Sequence, residues 1–203
     1  MATTYAPFGL RPNRPLFGFA PSYSTNPYLI QSTYTSAIGF GDMVESRTGG
    51  NAGFIGIYTA GDTHVLGVFA GCQYYNTSVQ QWVFSNLWPS GGASTSGNIV
   101  AFVVDDPNVV FTIQVSGGPV TQASVGLNAD LLNNGTPNTT TGISTTAINF
   151  STVSTTNTLP VRIVAISTLF YGGIDPTTGV APVANNYVDV KLNTSELQGT
   201  TGF

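Results

Sequence analysis

Two apolar runs separated by turn residues lie in the stretch Ile99-Val100-Ala101-Phe102-Val103-Val104, Asp105-Asp106-Pro107-Asn108, Val109-Val110-Phe111-Thr112-Ile113-Gln114-Val115. Both runs are rich in β-branched and aromatic residues, and both are too short for ordinary helices. Pro107 and its polar neighbours are typical of a turn. The stretch therefore predicts two buried strands.

The same pattern recurs from residue 37 onward. Short apolar runs occupy residues 43–44, 53–58, 65–69, 159–170 and 187–192. Turn residues separate such runs at a spacing of roughly 8–12 residues, which is typical of a β-sandwich or β-barrel. Residues 187–192 alternate as a half-exposed strand should, and only residues 121–132 could hold a short helical turn. We predict an all-β fold with a single β-barrel or β-sandwich domain over residues 37–203.

Charged residues are scarce, at 7% of the chain against about 25% in an average soluble domain. Surface charge keeps freely diffusing proteins apart, and interfaces are depleted in it. The composition therefore favours a component of an assembly. The five Lys and Arg residues are scattered and the net charge is −4, which argues against nucleic-acid binding through a basic cluster.

The sequence predicts neither export nor membrane insertion. No apolar run reaches the roughly 18 residues of a membrane span, and the N-terminus lacks the basic and apolar regions of a signal peptide. The single Cys72 has no partner for an internal disulfide. We expect the chain to be made and folded in a reducing cytoplasm.

Residues 1–36 differ in composition from the rest. They contain five of the 12 prolines and many aromatics, and they carry Arg11 and Arg14 without an acidic residue. Proline disfavours helices and central strands, whereas disordered tails are poor in aromatics. We predict an extended N-terminal arm that lies against a neighbouring subunit. The alternative is an irregular coil packed on its own barrel.

Two later segments interrupt the strand pattern. Residues 133–158 are rich in Thr and Asn and predict an insertion, in which residues 148–153 could form a hairpin. Residues 172–186 contain two prolines and predict a loop.

Catalytic, cofactor and metal sites are not predicted. His64 is the only histidine, which excludes clustered His/Cys metal sites, and it fits a turn or rim position better than a catalytic one. Cys72 follows an apolar run and fits a small buried residue. Asp105 and Asp106 lack the ligand spacing of a calcium loop and fit a strand-ending turn. We expect a protein that is not an enzyme.

An aromatic cluster between residues 74 and 88 has two competing interpretations. Its members include Tyr74, Tyr75, Trp82, Phe84 and Trp88. Such residues could cap the end of the barrel core, or they could form an interface, where Trp and Tyr are over-represented. A sugar-binding platform would use the same residues.

Several motifs lie in a recognisable order: Ala6-Pro7-Phe8-Gly9-Leu10-Arg11-Pro12, Gly41-Asp42-Met43-Val44, Gly53-Phe54-Ile55, Val65-Leu66-Gly67-Val68, Tyr74-Tyr75, Val103-Val104-Asp105-Asp106-Pro107, Phe111-Thr112-Ile113-Gln114-Val115 and Val125-Gly126-Leu127-Asn128-Ala129-Asp130. Together they resemble the capsid decoration, or cement, proteins of tailed phages, particularly podophages. The chain departs from that pattern at Leu10, where the family usually has Phe, and residues 133–158 are longer than expected.

The resemblance implies a virion protein on the capsid exterior. Its partners would be the major capsid protein and copies of itself, as a trimer or alternatively a dimer. Capsid contact is assigned chiefly to the arm, through Tyr5, Phe8, Arg11, Arg14, Phe17 and Phe19. Tyr74, Tyr75, Trp82 and Trp88 are further interface candidates.

Three other functions remain as alternatives. A tail-fibre or adhesin tip would present a sugar-binding face around Trp82 and Trp88, although fibre repeats and heptads are absent from the sequence. A small β-sandwich enzyme would need a catalytic set that the sequence does not supply. Another neck, tail or shell component of the same virion would have the same composition.

Overall fold

The computed structural model describes residues 4–16, 24–62, 64–89, 98–167 and 184–198. The strands are β1 Arg11–Pro15, β2 Asn26–Ile30, β3 Ile38–Gly39, β4 Met43–Ser46, β5 Ile55–Ile57, β6 Gly67–Asn76, β7 Gln81–Ser85, β8 Leu87–Trp88, β9 Ile99–Val104, β10 Val109–Ser116, β11 Asn128–Ala129, β12 Leu131–Leu132, β13 Ala147–Asn149, β14 Val161–Ile166 and β15 Tyr187–Leu192. Short 3-10 helices occupy Gly49–Asn51, Gln122–Ser124, Phe150–Thr152 and Glu196–Gln198. The predicted all-β fold is confirmed. Within these ranges no helix is long and apolar enough to cross a membrane.

Five strands close into a barrel. β4 pairs with β5, β5 with β2, β2 with β9 and β9 with β6, and β6 pairs back with β4. The second half of β6 pairs with β7 as a hairpin instead of with β4, while Cys72 and Gln73 still pair with β9 on the other side. The barrel interior is filled by side chains from every strand of the ring, with Phe69 and Trp88 the largest of them.

A second sheet packs on the outside of the barrel. Its order is β11-β14-β15-β10-β13-β12, and β1 also pairs with β10. Where this sheet covers the barrel, successive residues of a barrel strand belong to different cores, because side chains alternate between the two faces of a strand. Val103 of β9 lies in the barrel interior, whereas Val104 packs against Phe111 and Ile113 of the second sheet. One side of the barrel is thus buried on both faces.

The described residues of the N-terminal segment, 4–16 and 24–36, lie within the protein's own fold, which corrects the prediction of an arm that lies against a neighbouring subunit. β1 pairs antiparallel with β10, and Leu10 is fully buried in the core between barrel and sheet. β2 is a strand of the barrel itself. The extended conformation was predicted, but the described residues 4–16 and 24–36 pair and pack with the same chain. The boundary at residue 36 is therefore not a domain boundary.

Proline is compatible with these strands because both have an open side. β1 pairs only with β10 among the described strands, so Pro12 and Pro15 occupy an edge. In β2, Pro27 faces Phe102 of β9, and the pairing of β2 with β5 is confined to Ile30. Missing N–H donors are tolerated at such positions.

Residues 133–158 are also an integral part of the fold rather than a peripheral insertion. β13 pairs with β10 and β12, so the hairpin considered for residues 148–153 does not form, and Ile148 is fully buried. The Asn134 side chain accepts from the backbone N–H of Met43 and donates to the carbonyls of Met43 and Tyr58. Thr and Asn here serve as internal hydrogen-bonding groups.

Candidate functional site

The outer face of the barrel away from the second sheet carries a row of side chains across four strands. Leu29 of β2 lies opposite Val100 of β9, and Val100 lies opposite Gln73 of β6. Gln73 in turn lies opposite Phe84 of β7. Because cross-strand neighbours share a face, these four side chains form one continuous row. With the neighbouring rows they define what we call the outer face: Pro27, Leu29, Gln73, Tyr75, Trp82, Phe84, Val100 and Phe102.

The outer face is uncharged, partly exposed and, except for Gln73, apolar or aromatic. Phe84 and Trp82 are 70% and 56% exposed, and Leu29 is 37% exposed. The sequence has no Asp, Glu, Lys or Arg between His64 and Asp105, and none of the outer-face residues is charged. Contiguous exposed apolar patches on a protein surface mark sites of interaction with other molecules.

The hairpin that holds Trp82 has a local cause. The Asn76 side chain accepts hydrogen bonds from the N–H groups of Ser78 and Val79 at 2.9 and 3.4 Å, and Gln80 adopts a φ of 54°. Asn tolerates such side-chain turns well. Tyr75 and Trp82 then face each other, with ring centroids 5.7 Å apart. Asn76 is the local sequence signal for this hairpin, which was not among the predicted elements.

The two competing interpretations of the aromatic cluster each hold for different members. Trp88 is fully buried, and Tyr74 packs against it edge-on with centroids 5.5 Å apart. These two residues belong to the barrel core and are not available to a partner. Trp82 and Phe84 are on the surface, and Tyr75 is half-buried beside Trp82.

The predicted contact residues of the N-terminal segment are largely engaged within the chain. Phe8 stacks on Tyr187, and the Arg11 guanidinium lies 4.2 Å from the centre of the Phe40 ring. Arg14 forms an ion pair with Asp189, with Nε 3.8 Å from the carboxylate. Of the described members of this set, Tyr5 and Arg14 are exposed. Phe17 and Phe19 lie outside the described residues.

Arg11 packs its guanidinium against the Phe40 ring of the same chain. Burial lowers the pKa of its guanidinium, and the charge is stabilised by the face of an aromatic ring rather than by a carboxylate. Arg11 is thus half-buried and already contacts an aromatic ring of its own chain.

A separate surface pocket of about 360 Å³ contains the main acidic cluster. Its lining includes Glu45, Asp62, Glu196, His64 and Arg47. Burial and a hydrogen bond with Asp62 raise the pKa of Glu45 to about 8. The Glu196 carboxylate accepts a hydrogen bond from the Ser46 N–H at 2.8 Å and so ties the C-terminal end to β4. His64, predicted at a turn or rim, is exposed at the edge of this pocket.

The other polar residues singled out in the sequence have structural partners. Asp105 accepts hydrogen bonds from Asn26 and from the Tyr28 hydroxyl at 2.7 Å, and Asp106 caps its turn at Asn108. Burial raises the pKa of the Cys72 thiol to about 12. In the part of the chain that the structure describes, no three His, Cys, Asp or Glu side chains are grouped so as to hold a metal ion.

Comparison of the chain with protein-family models, with curated proteins and with solved structures gives no match.

Proposed function

We propose that this chain is a non-enzymatic structural protein of a phage particle, a decoration protein that binds the outer surface of the capsid. Its partner would be the major capsid protein. The observation that carries the proposal is the uncharged outer face of the barrel, with Leu29, Trp82 and Phe84 exposed on it. A surface of this kind is better suited to burial in an assembly than to free solution.

The contact surface in this proposal is the outer face, not the N-terminal segment. Phe8, Arg11 and Arg14 already bind groups of the same chain. The outer-face aromatics offer large area at small entropic cost, as interface anchors do. Many copies bound to one shell add small contributions, so a modest affinity per copy is enough to stabilise the expanded lattice.

Co-sedimentation with expanded, undecorated capsids tests the proposal. Wild-type protein should pellet with the capsids in a fixed ratio and reach saturation. Leu29→Glu should weaken that binding at least tenfold because it places a charge on the outer face. Leu132→Glu is the matched control, since Leu132 is equally exposed, at 37%, but belongs to β12 of the second sheet.

Two outcomes would overturn the assignment at different levels. If the wild-type protein stays in the supernatant, it is not a decoration protein. If it pellets but Leu29→Glu and Leu132→Glu bind equally well, the capsid contact lies elsewhere, and Tyr5→Ala tests the N-terminal alternative.

A sugar-binding adhesin is the second candidate, because an exposed Trp82 on a flat sheet could also stack on a sugar ring. A glycan array separates the two functions. Binding to a defined glycan that is lost in Trp82→Ala, without capsid binding, would favour the adhesin.

A further inference from the structure

Within the described residues, one edge of β7 has no strand paired with it. Among the described strands β7 pairs with β6 alone and ends the barrel sheet. Native proteins protect such edges with charged residues, proline or a bulge. The strand Gln81–Ser85 contains no charge and no proline, and its pairing with β6 has no register shift.

From this edge we infer that two copies of the chain associate by antiparallel pairing of β7 with β7 across a twofold axis. The inference does not require the proposed capsid binding, although Trp82 and Phe84 also belong to the outer face. It rests on the backbone edge and the side chains of one strand. Trp82 and Phe84 lie on the same side of β7 and flank its central residue, Val83.

The sequence of β7 is complementary to itself in this arrangement. With Val83 opposite the partner's Val83, each Trp82 lies opposite the partner's Phe84, and Gln81 lies opposite the partner's Ser85. Two aromatic pairs then form on the outer face, and aromatic cross-strand pairs are among the favourable ones in sheets. β7 has no charged side chain, so a second copy places no unpaired charge against this edge. These features favour a second copy over a charged protein partner.

The contact is small, which sets its strength. An aromatic side chain buries about 150–250 Å², so the exposed parts of Trp82 and Phe84 amount to on the order of 250 Å² per copy. Interfaces below about 1,200 Å² in total belong to the weak class. We therefore expect a reversible dimer with a Kd above about 1 μM. Pairing would join two barrel sheets and make their outer faces continuous.

Sedimentation velocity over a concentration series, with two charge-swapped variants, tests the inference. Wild-type protein should change from monomer to dimer as concentration rises. W82K/F84K and W82E/F84E should each stay monomeric, because like charges would then face each other across the axis. An equimolar mixture of the two variants should form a dimer that contains one copy of each. Both substituted residues are exposed, so the variants should keep the wild-type circular dichroism and melting temperature.

Leu29→Glu is the control on the same face but away from the edge, and it should dimerise like the wild type. A wild-type chain that remains monomeric up to millimolar concentration would overturn the inference. So would dimerisation of W82K/F84K alone, or a mixture of the two variants that stays monomeric. Loss of capsid binding in Leu29→Glu with dimerisation intact would show that the two surfaces act separately. A wild-type dimer that never binds capsids would refute the proposed function and leave this inference standing.

Discussion

The ring of Tyr74 meets the ring of Trp88 edge-on inside the barrel, with centroids 5.5 Å apart and planes at 90°. Trp88 is fully buried, whereas Trp82, six positions earlier in the chain, is more than half exposed. The indole Nε1 of Trp88 has no hydrogen-bond partner among the described residues. The chain therefore contains one tryptophan for the core and one for the surface.

We expect Trp88→Ala to lower the free energy of unfolding by about 3–5 kcal/mol, because it removes the largest side chain of the barrel core. Trp82→Ala should cost less than about 1 kcal/mol, as is usual for exposed positions. Trp88→Phe should cost clearly less than Trp88→Ala, since no hydrogen bond is lost. Urea unfolding of the three variants measures these differences. Equal costs for Trp82→Ala and Trp88→Ala would contradict the assignment.

Sequence alone predicted neither the strands that hold these two tryptophans, β7 and β8, nor which of the two is buried. Trp88 is buried because β8 pairs with β3 across Ile38, and Trp82 is exposed because β7 ends the barrel sheet. The first fact depends on a pairing between distant segments, and the second on the position of the local β6–β7 hairpin at the end of the described sheet. The runs at residues 99–104 and 109–115 needed no such knowledge, because nearly every residue in them is apolar and none of them is exposed.

Asp189 is the centre of a polar contact that fixes β1 to the second sheet. Its carboxylate accepts hydrogen bonds from the Thr112 hydroxyl at 2.8 Å and from the Asn13 amide at 3.2 Å. Asp189→Ala should lower the free energy of unfolding by about 1–3 kcal/mol, because buried donors lose their acceptor. Arg14→Gln should cost less than about 1 kcal/mol, since Arg14 is exposed and its ion pair is screened by solvent.

Hydrogen exchange provides the second measurement for this contact. In Asp189→Ala the amides of β1 should exchange faster than those of β14, because β1 loses its side-chain anchor while β14 keeps its pairing with β15. If Arg14→Gln is as damaging as Asp189→Ala, the ion pair rather than the hydrogen bonds holds β1.

The same contact explains why the sequence misled on the N-terminal segment. Proline content and the absence of acidic residues favoured an arm for another subunit, yet the acidic partner of Arg14 lies far along the same chain. The alternating pattern of residues 187–192 likewise predicted a half-exposed β15. Asp189 is buried because β1 and Thr112 cover it.

Gly9 lies in the irregular segment before β1, at a position that no other residue fits well. Its φ is +75°, and a Cβ there would lie 2.6 Å from the Gly41 carbonyl oxygen. Gly61 also has a positive φ, of +100°, but the space around it is open. Gly9→Ala should therefore lower the melting temperature more than Gly61→Ala, because both variants have backbone strain and only the first has a steric clash. Differential scanning fluorimetry measures both, and equal shifts would show that β1 can move away from β4.

The Glu45 carboxyl gives the stability of the protein a distinct pH dependence. Burial, a hydrogen bond with Asp62 and the nearby charge of Glu196 raise the pKa of Glu45 from 4.5 to about 8. The folded protein thus binds this proton more tightly than the unfolded chain does. Its contribution is fully present below pH 4.5 and is lost as the pH rises through about 8.

Between pH 5 and pH 8, as the pH rises, the wild-type protein should therefore lose stability relative to Glu45→Gln, which cannot titrate. The difference between the two unfolding free energies, from urea titrations across this range, isolates Glu45 because His64 and the other groups of the pocket are common to both proteins. Asp62→Asn should reduce the pH-dependent part without abolishing it, since burial, the larger cause, remains. A difference that stays constant from pH 5 to 8 would mean that Glu45 is ionised in the folded protein and does not share a proton with Asp62.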